Sequence, residues 1–588
     1  MCGILGGNVK NWDYQKGIEA LKHRGPDAQR IKEYPLCCLS FARLSIRDLS
    51  ENAMQPMESA DGNVVITFNG EIYGYDKLRS ALSKKYELRT TSDTEVILYA
   101  YMEYGDAFID KIDGMFAIVI YDRRTEMLKL YRDRYGVKPL YYYLSEQGLV
   151  FASELKAILA ASGNRKWEID GTALYDFLCY QYIPDPKSLY KDIYKLEPAH
   201  CMFYDLRERK RKAYKKYWKL HVNTNAFGIK KEKDVAGDIR ELLHQSIQEQ
   251  LCADVPVGTY LSGGIDSSIV TYECSTAKKD ILAFTIGFHE KKADESAYAA
   301  LLAKRYKINQ KKRILSSNDI RETIGTLQEI YDEPFADTSA YPTYLVSKLA
   351  RESVTVVLTG DGSDELFGGY ERYSLCCKEW DTNKSCDPIL SKIFQTLSWN
   401  GIKTRRISRN QIDGMLAVYC KWIGCFDEKI YIDWKEWLHI EKNYDPRWYL
   451  YKYYIKELPA MTRMRYLDFK TYLPGDILTK VDRASMRVSL EARVPFLNRR
   501  LVEYVFGLAE AECCSQNNLK AALKEAYINE IPHEIINRPK KGFSIPGNCI
   551  VKKPGYKSVY ETVLNREWSG LVRQIRSDKR RESKRICE

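Results

Sequence analysis

A cysteine directly follows the initiator methionine in the opening sequence MCGILGG. If Met1 is removed, Cys2 carries a free α-amine, whose reference pKa is about 8. Such an amine can accept the proton of its own thiol, which is the arrangement that N-terminal nucleophiles use. Chance placement and a lipid-anchored cysteine are the alternatives, and the second normally requires a charged and then apolar segment before the cysteine. The dipeptide alone leaves these interpretations open.

A turn rich in glycine and serine, LSGGIDSS, lies between a short apolar segment and a predicted helix. Backbone N–H groups in such a turn can hold a phosphate or a pyrophosphate. The sequence has no GxxxxGK[ST] signature, which excludes the P-loop nucleotide fold. Asp266 in the turn supplies a hard oxygen ligand suited to magnesium. A plain turn that closes a strand–helix unit is the alternative.

A second acidic glycine turn, TGDGSDE, follows the apolar segment TVVL. Strands that alternate with helices predict a parallel sheet, whose ligands bind at the carboxyl ends of the strands. Both turns would lie at such ends, so that Asp364 could share a magnesium ion with Asp266. A solvated turn is the alternative, and the presence of two such turns in one sheet counts against it.

The elements that must position these residues fall into two groups. The first roughly 200 residues contain β-strand signals such as VVITFNGEIYGY and GMFAIVIYD, with short helical stretches between them, which predicts an α+β domain. The charged segment DLRERKRKAYKKYW, which begins at Asp205, is interpreted as a connector. Strands then alternate with helices, and the pattern is mostly helical from about Ser374.

Composition narrows the class of protein. The chain has 588 residues, of which 45% are hydrophobic and 29% charged, as in ordinary globular proteins. No stretch approaches the roughly 18 apolar residues of a membrane span and no secretory signal is present, so we expect a cytoplasmic protein without a membrane partner. The 16 cysteines lack the spacing of metal ligands or of a disulfide framework. The net charge of +12 is diffuse or lies in the C-terminal tail, and no groove-reading motif supports a nucleic-acid partner.

Two ordered sets of motifs resemble one enzyme family. LSGGIDSS, YDEPFADTSAYPTYLVS, TGDGSDELFGGY, EARVPFLN and RPKKGFSIP resemble the synthetase domain of glutamine-dependent asparagine synthetases. MCGILG, HRGPD, RLSIRD, FNGEIY and SDTE resemble the class II glutamine amidotransferase domain of the same enzymes. The resemblance extends from Cys2 to about Pro546.

The resemblance implies two domains. Residues 2–209 would form an α+β, N-terminal-nucleophile glutaminase, an αββα sandwich. Residues 215–588 would form an α/β ATP-pyrophosphatase domain on a parallel sheet, with a largely helical C-terminal part from about residue 374.

The resemblance also implies the residues of a glutaminase site. Cys2 would attack the glutamine carboxamide, while the side-chain amide of Asn69 and the N–H of Gly70 stabilise the oxyanion. Arg43 would bind the substrate carboxylate and Asp93 its ammonium, whereas surface salt bridges are the alternative for both. The residues expected to contact glutamine are Arg43, Leu44, Ser45, Ile46, Asn69, Gly70, Glu71 and Asp93.

A second set of residues would activate a carboxylate with ATP. Asp266 and Asp364 would hold Mg²⁺, and Lys540, or its neighbour Lys541, would lie at the leaving phosphates. Asp361 would act at the adenylate and amine-attack step. The residues expected to bind ATP are Tyr260, Leu261, Ser262, Gly263, Gly264, Asp266, Ser267, Ser268, Ile286, Thr359 and Gly360.

Together these expectations describe asparagine synthesis from aspartate, glutamine and ATP through a β-aspartyl-adenylate, with ammonia passing between the sites in an apolar tunnel. One alternative keeps this chemistry and changes the acceptor to a carboxylate of a surface-sugar or peptide precursor. Others are a non-catalytic regulatory homologue and a nucleic-acid binder. A homodimer is a candidate assembly. The residues that argue against a non-catalytic homologue are Cys2, Asn69, Asp93, Asp266, Asp364 and Lys540.

Two positions depart from the family's pattern. Gly74 follows FNGEIY where asparagine is common, which predicts a looser loop at the glutamine site. TGDG replaces SGEG, so Asp361 is one methylene shorter than glutamate and would require a bridging water or a closer substrate. Neither departure removes a group that the reactions require, but both leave the identity of the acceptor less well defined.

Overall fold

The computed structural model describes residues 1–226, 234–290, 294–323, 325–385, 414–424, 434–436 and 438–542. The end of the last family motif, residues 543–546, and the basic tail, residues 573–588, lie outside the described residues.

Two antiparallel sheets form the N-terminal part of the chain. Residues 1–226 are described without a gap and contain the strands β1 (Gly3–Gly7), β2 (Ala28–Glu33), β3 (Cys38–Arg43), β4 (Met57–Glu58), β5 (Val64–Tyr73), β6 (Asp113–Asp122), β7 (Met127–Arg132), β8 (Tyr141–Ser145), β9 (Gly148–Ala152), β10 (Ile193–Lys195), β11 (His200–Asp205) and β12 (Lys210–Lys216). Their orders are β10-β8-β9-β1-β3-β2 and β12-β11-β7-β6-β5-β4.

Four helices cover the outer faces of the sheets: α1 (Tyr14–Glu19), α2 (Asp76–Leu82), α3 (Asp93–Tyr104) and α4 (Leu155–Ala161). A fifth helix, α5 (Gly171–Tyr180), packs instead with residues of the second part of the chain. α1 and α4 pack on the first sheet, and α2 and α3 on the second. Ile4, Phe41 and Val119 belong to the apolar layer between the sheets. Since each sheet is covered on both faces, its central strands are buried along nearly their whole length, and the predicted αββα sandwich is confirmed.

The charged segment after Asp205 is not a connector, and that interpretation is wrong. β12 pairs with β11 in a hairpin, from Asp205 opposite Lys210 to His200 opposite Lys216. β12 is the edge strand of its sheet, and its lysines and arginine are largely exposed. Charged side chains are typical of edge strands because they prevent pairing with another chain. The end of the first domain that was expected from the sequence, at residue 209, would fall in the turn of this hairpin.

A parallel sheet forms the centre of the second part. Its strands are β13 (Val257–Tyr260), β14 (Leu282–Phe288), β15 (Asn309–Leu315), β16 (Val356–Leu358) and β17 (Glu491–Arg493). The strand order is β15-β14-β13-β16-β17, and every neighbouring pair is parallel. The predicted α/β fold is therefore confirmed.

Helices surround this sheet and form most of the described chain after residue 374. They are α6 (Val235–Gln250), α7 (Ile265–Ala277), α8 (Ser296–Tyr306), α9 (Ser317–Thr323), α10 (Leu327–Tyr331), α11 (Ala340–Arg351), α12 (Ser363–Phe367), α13 (Glu371–Ser385), α14 (Gly414–Ile423), α15 (Trp448–Tyr451), α16 (Ala460–Lys470), α17 (Thr479–Met486), α18 (Arg499–Gly507), α19 (Glu510–Cys513), α20 (Ala521–Ala526) and α21 (His533–Ile536). A π-helical segment, Leu473–Leu478, leads directly into α17. Within the described ranges, no helix has the length and apolar character needed to cross a bilayer.

The two parts share a buried interface. Met1, Leu44 and Met115 of the N-terminal part belong to the same apolar cluster as residues of the second part such as Leu473 and Leu497. α17 lies at this interface, and its charged residues are almost fully buried. The interface therefore brings ionic groups together as well as apolar ones.

Two candidate active sites

Cys2 lies at the start of the first sheet's central strand, with its thiol buried. Its backbone N–H donates to Asn69 Oδ1 at 3.1 Å, and its Sγ lies 3.8 Å from the Leu44 carbonyl oxygen. Burial raises the pKa of the thiol, so the thiol needs a base to become a nucleophile. The Met1 ammonium is also buried and lies 3.0 Å from Glu491 Oε2 of the second part. Removal of Met1 would leave the Cys2 amine as the new terminal group beside this carboxylate.

Asn69 and Gly70 follow one another on β5, beside Cys2. The Asn69 side chain is fully buried, and its amide nitrogen lies 3.5 Å from Ser153 Oγ. A Cβ at Gly70 would lie 2.2 Å from the Met115 carbonyl oxygen, so only glycine fits this close approach of two strands. Both predicted oxyanion donors therefore belong to a rigid strand next to the thiol.

Arg43 and Asp93 are buried, and neither forms an ion pair with any described residue, so the surface salt bridge is wrong for both. Arg43 donates to the backbone carbonyls of Ser50 at 2.8 Å and Asp48 at 2.5 Å. Asp93 Oδ2 accepts the N–H of Ile72 at 3.1 Å. Backbone groups hold these two side chains, which leaves their charges available to a ligand.

Two buried carboxylates, those of Asp93 and Glu71, lie close together near Cys2. Burial raises the pKa of Asp93 to about 6, although the Ile72 N–H opposes the shift. Burial and the nearby Asp93 charge both raise the pKa of Glu71, whose carboxylate lies 3.5 Å from Arg493 and 3.9 Å from Arg47. A ligand ammonium would offset the repulsion between the two acids.

Most of the predicted glutamine contacts line one small cavity of about 40 Å³, together with Cys2. Those that line it are Arg43, Leu44, Ile46, Gly70, Glu71 and Asp93. Ser45 and Asn69 do not line it. The Ser45 N–H donates instead to Asp27 Oδ2 at 2.7 Å, and the fully buried Asn69 side chain accepts the Cys2 N–H behind the cavity wall. The cavity residues that sequence reasoning missed are Met1, Phe41, Arg47, Ala53, Gln55, Phe68, Ser92 and Thr94.

The departure at Gly74 has a steric explanation. Gly74 has a φ of +59°, a conformation that asparagine also tolerates. The Cβ atom of any larger residue at this position would, however, lie 2.9 Å from Glu249 Oε1. Glu249 belongs to α6, and its carboxylate is held 2.6 Å from Arg500. The Glu249 carboxylate, from the second part of the chain, would therefore have to shift to admit a larger side chain at position 74.

A cavity of about 610 Å³ lies at the carboxyl ends of β13, β14 and β16, where ligands of parallel sheets bind. The predicted residues that line it are Tyr260, Leu261, Ser262, Gly264, Asp266, Ser267, Ile286, Thr359, Gly360, Asp361, Asp364, Lys540 and Lys541. Gly263 and Ser268 do not line it. Gly263, with a φ of +87°, packs near the Glu295 carbonyl, and Ser268 is fully buried.

The two glycine turns meet inside this cavity. A Cβ at Gly360 would lie 2.8 Å from the Cβ of Asp266, so the absence of a side chain allows the contact. Ser262 N–H donates to Ser267 Oγ at 3.2 Å, which fixes the first turn before α7. The sequence prediction that the two turns converge is thus confirmed.

One lysine joins the two predicted magnesium ligands. Lys520 Nζ lies 2.6 Å from Asp364 Oδ1 and also pairs with Asp266, while Lys540 pairs with the other oxygen of Asp364. Burial alone would raise the pKa of Asp364, but the two lysines outweigh it and hold that pKa below its usual range. Two carboxylates that converge on one cationic group match the donor set by which Mg²⁺ binds beside substrate phosphates. Sequence reasoning missed Lys520, which lies in no recognised motif.

Asp361 faces a second lysine that sequence reasoning missed. Lys480, on α17, lines the cavity and lies 2.8 Å from Asp337 Oδ2. Burial raises the pKa of Asp361, and the charge of Lys480 opposes that shift. The nearness of its segment to the motif EARVPFLN is the only sequence signal for Lys480.

α17 connects this cavity with the surroundings of Cys2. Arg24 donates to the Cys2 carbonyl at 3.1 Å and pairs at 2.8 Å with Asp482, two residues beyond Lys480. Arg483, the next residue, lies 2.9 Å from Glu154 of the N-terminal part. One helix thus carries charged groups of both sites.

Comparisons with known proteins agree with this geometry. The family described as Glutamine amidotransferase domain matches residues 1–218, and the family described as Asparagine synthase matches residues 238–582. Asparagine synthetase [glutamine-hydrolyzing] 1 of Bacillus subtilis is 31% identical, over 93% of this chain and 87% of that protein.

Two further relatives extend the comparison. Asparagine synthetase [glutamine-hydrolyzing] 2 of Bacillus subtilis is 29% identical, over 97% of this chain and 77% of that protein. Amidase chry2 of Gibberella zeae is 27% identical, over 95% of this chain and 89% of that protein. With a buried thiol beside Asn69 and Gly70, a cavity at the carboxyl ends of the parallel strands and matches to both family domains, the chain belongs to the glutamine-hydrolysing asparagine synthetases, ATP-dependent ligases that take an amide nitrogen from glutamine.

Proposed function

We propose that this enzyme converts aspartate to asparagine through a β-aspartyl-adenylate. The observation that carries the proposal is the convergence, in one cavity, of the Asp266–Lys520–Asp364 cluster with Asp361 and Lys480. The first cluster suits a metal-bound triphosphate, and the second suits the carboxylate that attacks it.

In the first reaction, Cys2 attacks the glutamine carboxamide after Met1 has been removed. The α-amine of Cys2 takes the thiol proton and later delivers it to the leaving ammonia. Asn69 Nδ2 and the Gly70 N–H stabilise the oxyanion. Arg43 binds the substrate carboxylate and Asp93 its ammonium, which is supported by the burial of both side chains without an ionic partner in the described part of the chain.

In the second reaction, an oxygen of the aspartate β-carboxylate attacks the α-phosphorus of ATP, and pyrophosphate leaves. The turn that begins at Ser262 cradles the pyrophosphate with its cavity-lining members Gly264 and Ser267, and Lys540 contributes positive charge. Asp266 and Asp364 would hold Mg²⁺, which neutralises phosphate charge when bound. Lys480 orients the acceptor carboxylate, and Asp361 accepts a proton from the attacking ammonia.

Ammonia must pass between the sites without meeting solvent. The buried interface beside Cys2, including α17, supports a passage through the interior. We assign the glutaminase unit to the N-terminal sandwich and the synthetase unit to the parallel-sheet part. A cytoplasmic location and a homodimer remain proposals; fractionation of cells and light scattering of the purified protein test them.

The test is a mass-spectrometric assay with glutamine, Mg·ATP and aspartate that follows glutamate, AMP, pyrophosphate and asparagine together. Equal amounts of asparagine and AMP are expected. Glutamate and AMP that do not depend on aspartate would overturn the choice of acceptor.

A further inference from the structure

A loop of the second part of the chain, residues 252–254, is hydrogen-bonded to one wall of the glutaminase pocket. Asp254 Oδ2 accepts the N–H of Asp48 at 2.8 Å, and the Asp254 N–H donates to the Ile46 carbonyl at 2.9 Å. Arg47 donates to the Cys252 carbonyl at 3.4 Å. Ile46 and Arg47 both line the pocket. Three successive residues of this wall are therefore bound to a segment that lies outside the N-terminal sandwich.

Asp48 is the residue of this wall that depends most on such contacts. Its φ is +51°, a left-handed conformation that a residue other than glycine keeps only where its surroundings hold it. Its carboxylate accepts the N–H of Ser50 at 3.1 Å and the N–H of Thr91 at 2.7 Å. The N-terminal sandwich thus fixes the Asp48 side chain, while Asp254 of the second part holds its backbone N–H.

The conformation of Asp48 matters because its carbonyl holds Arg43. That carbonyl accepts a hydrogen bond from the Arg43 guanidinium at 2.5 Å, and the Ser50 carbonyl accepts another at 2.8 Å. The N–H and the carbonyl of Asp48 belong to the two peptide groups that flank one Cα. If the N–H lost its acceptor, the backbone could turn at this Cα, and the carbonyl would carry the guanidinium with it.

We propose that Asp254 is a positioning residue for glutamine: its hydrogen bond to Asp48 keeps Arg43 directed at the substrate carboxylate. The inference rests on the proposed role of Arg43 and adds that the N-terminal sandwich does not complete its own substrate pocket. A shift of Arg43 would weaken binding of the carboxylate and would leave Cys2 and the oxyanion donors in place. The loss of Asp254 should therefore affect the KM of glutamine far more than kcat.

A plain docking contact between the two parts would behave differently. Asp254 lies three residues before β13, the strand that leads into the turn at Ser262 in the ATP cavity. A contact that only held the two parts together would, when lost, disturb the ATP cavity as well as the glutaminase pocket. Ammonia-dependent synthesis, which does not use the glutaminase pocket, separates the two roles.

The first experiment measures glutaminase kinetics and ammonia-dependent AMP release for the full-length Asp254→Ala variant. The KM of glutamine should rise about fivefold or more, with kcat and ammonia-dependent AMP release within about twofold of the wild type. Asp254→Asn keeps an oxygen that can accept the Asp48 N–H, so its KM should stay near the wild-type value. Asp280→Ala, at an exposed position, is the control. An unchanged KM in Asp254→Ala, an equal rise in Asp254→Asn, or a parallel loss of ammonia-dependent synthesis would overturn the inference.

The second experiment connects the effect to the substrate carboxylate. It compares glutamine with 4-aminobutanamide, which has the same amide and amine but lacks the α-carboxylate. Asp254→Ala should lower kcat/KM for glutamine about fivefold or more and leave kcat/KM for 4-aminobutanamide within about twofold. An equal loss with both substrates would mean that Asp254 does not act through the carboxylate site, and the inference would fail.

Arg43→Ala separates a failure of this inference from a failure of the proposed glutamine site. Arg43→Ala should raise the KM of glutamine more than Asp254→Ala does, because it removes the charged donor itself. A raised KM in Arg43→Ala with an unchanged KM in Asp254→Ala would overturn the role of Asp254 alone. An unchanged KM in Arg43→Ala would refute the proposed role of Arg43, and the role of Asp254 would fail with it.

Discussion

The two cavities hold their charged groups in different ways. In the glutaminase pocket, backbone groups fix the key side chains, as the carbonyls of Ser50 and Asp48 do for Arg43. In the ATP cavity, charged side chains hold one another, as Lys520 does for Asp266 and Asp364. The first site can keep its shape with or without a ligand. In the second, the Mg·ATP that we propose to bind there would have to displace existing ion pairs, so its binding would exchange one set of ionic partners for another.

Cys2→Ala tests whether the two sites are chemically independent. The variant should lose all glutamine-dependent synthesis but keep synthesis from ammonium chloride, because no group of the ATP cavity changes. Coupled measurement of glutamate and AMP checks this, with Cys252→Ala as a control since Cys252 is exposed. Loss of both activities in Cys2→Ala would contradict the comparison.

Asp482→Asn tests the ionic interface between the sites. Asp482 pairs with Arg24 and Lys138, all three nearly without exposure, so its neutralisation leaves buried cations uncompensated. We expect the free energy of unfolding to fall by about 3–5 kcal/mol. Glutamine-dependent synthesis should fall more than ammonia-dependent synthesis, since Arg24 holds the Cys2 carbonyl.

Denaturant titration followed by circular dichroism measures the change in stability. Asp280→Asn, at an exposed position, is the control. Equal stability of the two variants would mean that the interface network does not hold the units together.

The variant Lys520→Met tests whether the ion pairs of Lys520 with Asp266 and Asp364 are needed in the ATP cavity. Without Lys520, Asp266 and Asp364 repel each other, and AMP release should fall about 10–100-fold. Glutaminase activity should not change. Lys524→Met is the matched control, because Lys524 lines the same cavity. Equal AMP release by both variants would show that Lys520 is dispensable.

The raised pKa of Asp93, about 6, predicts a pH effect confined to the glutaminase pocket. As the pH falls below 6, Asp93 becomes neutral and the KM of glutamine should rise about tenfold per pH unit. Glutaminase kinetics from pH 5 to pH 8 test this. Asp93→Asn should have a high, pH-independent KM, and a wild-type KM that does not vary with pH would refute the role of Asp93.

The same protonation of Asp93 should stabilise the fold. The pKa of Asp93 is higher in the folded than in the unfolded protein, so its protonation favours folding between about pH 4 and pH 6.

Sequence reasoning succeeded where a short motif carries its own local structure. LSGGIDSS predicted a strand, a turn and a helix, and Ser262 and Asp266 lie where that pattern requires. It failed at the hairpin after Asp205, because a charged edge strand has no apolar face to mark it. Lys520 was missed for another reason: it pairs with Asp266, 254 residues away in sequence, and such a distance leaves no local pattern.

The most direct test of the whole account follows one nitrogen atom. The protein is incubated with amide-¹⁵N-glutamine, Mg·ATP, aspartate and an excess of unlabelled ammonium chloride. If the two sites work together through the interior, the asparagine formed carries ¹⁵N and appears in the same amount as AMP. Glutamate and AMP without labelled asparagine would contradict the account.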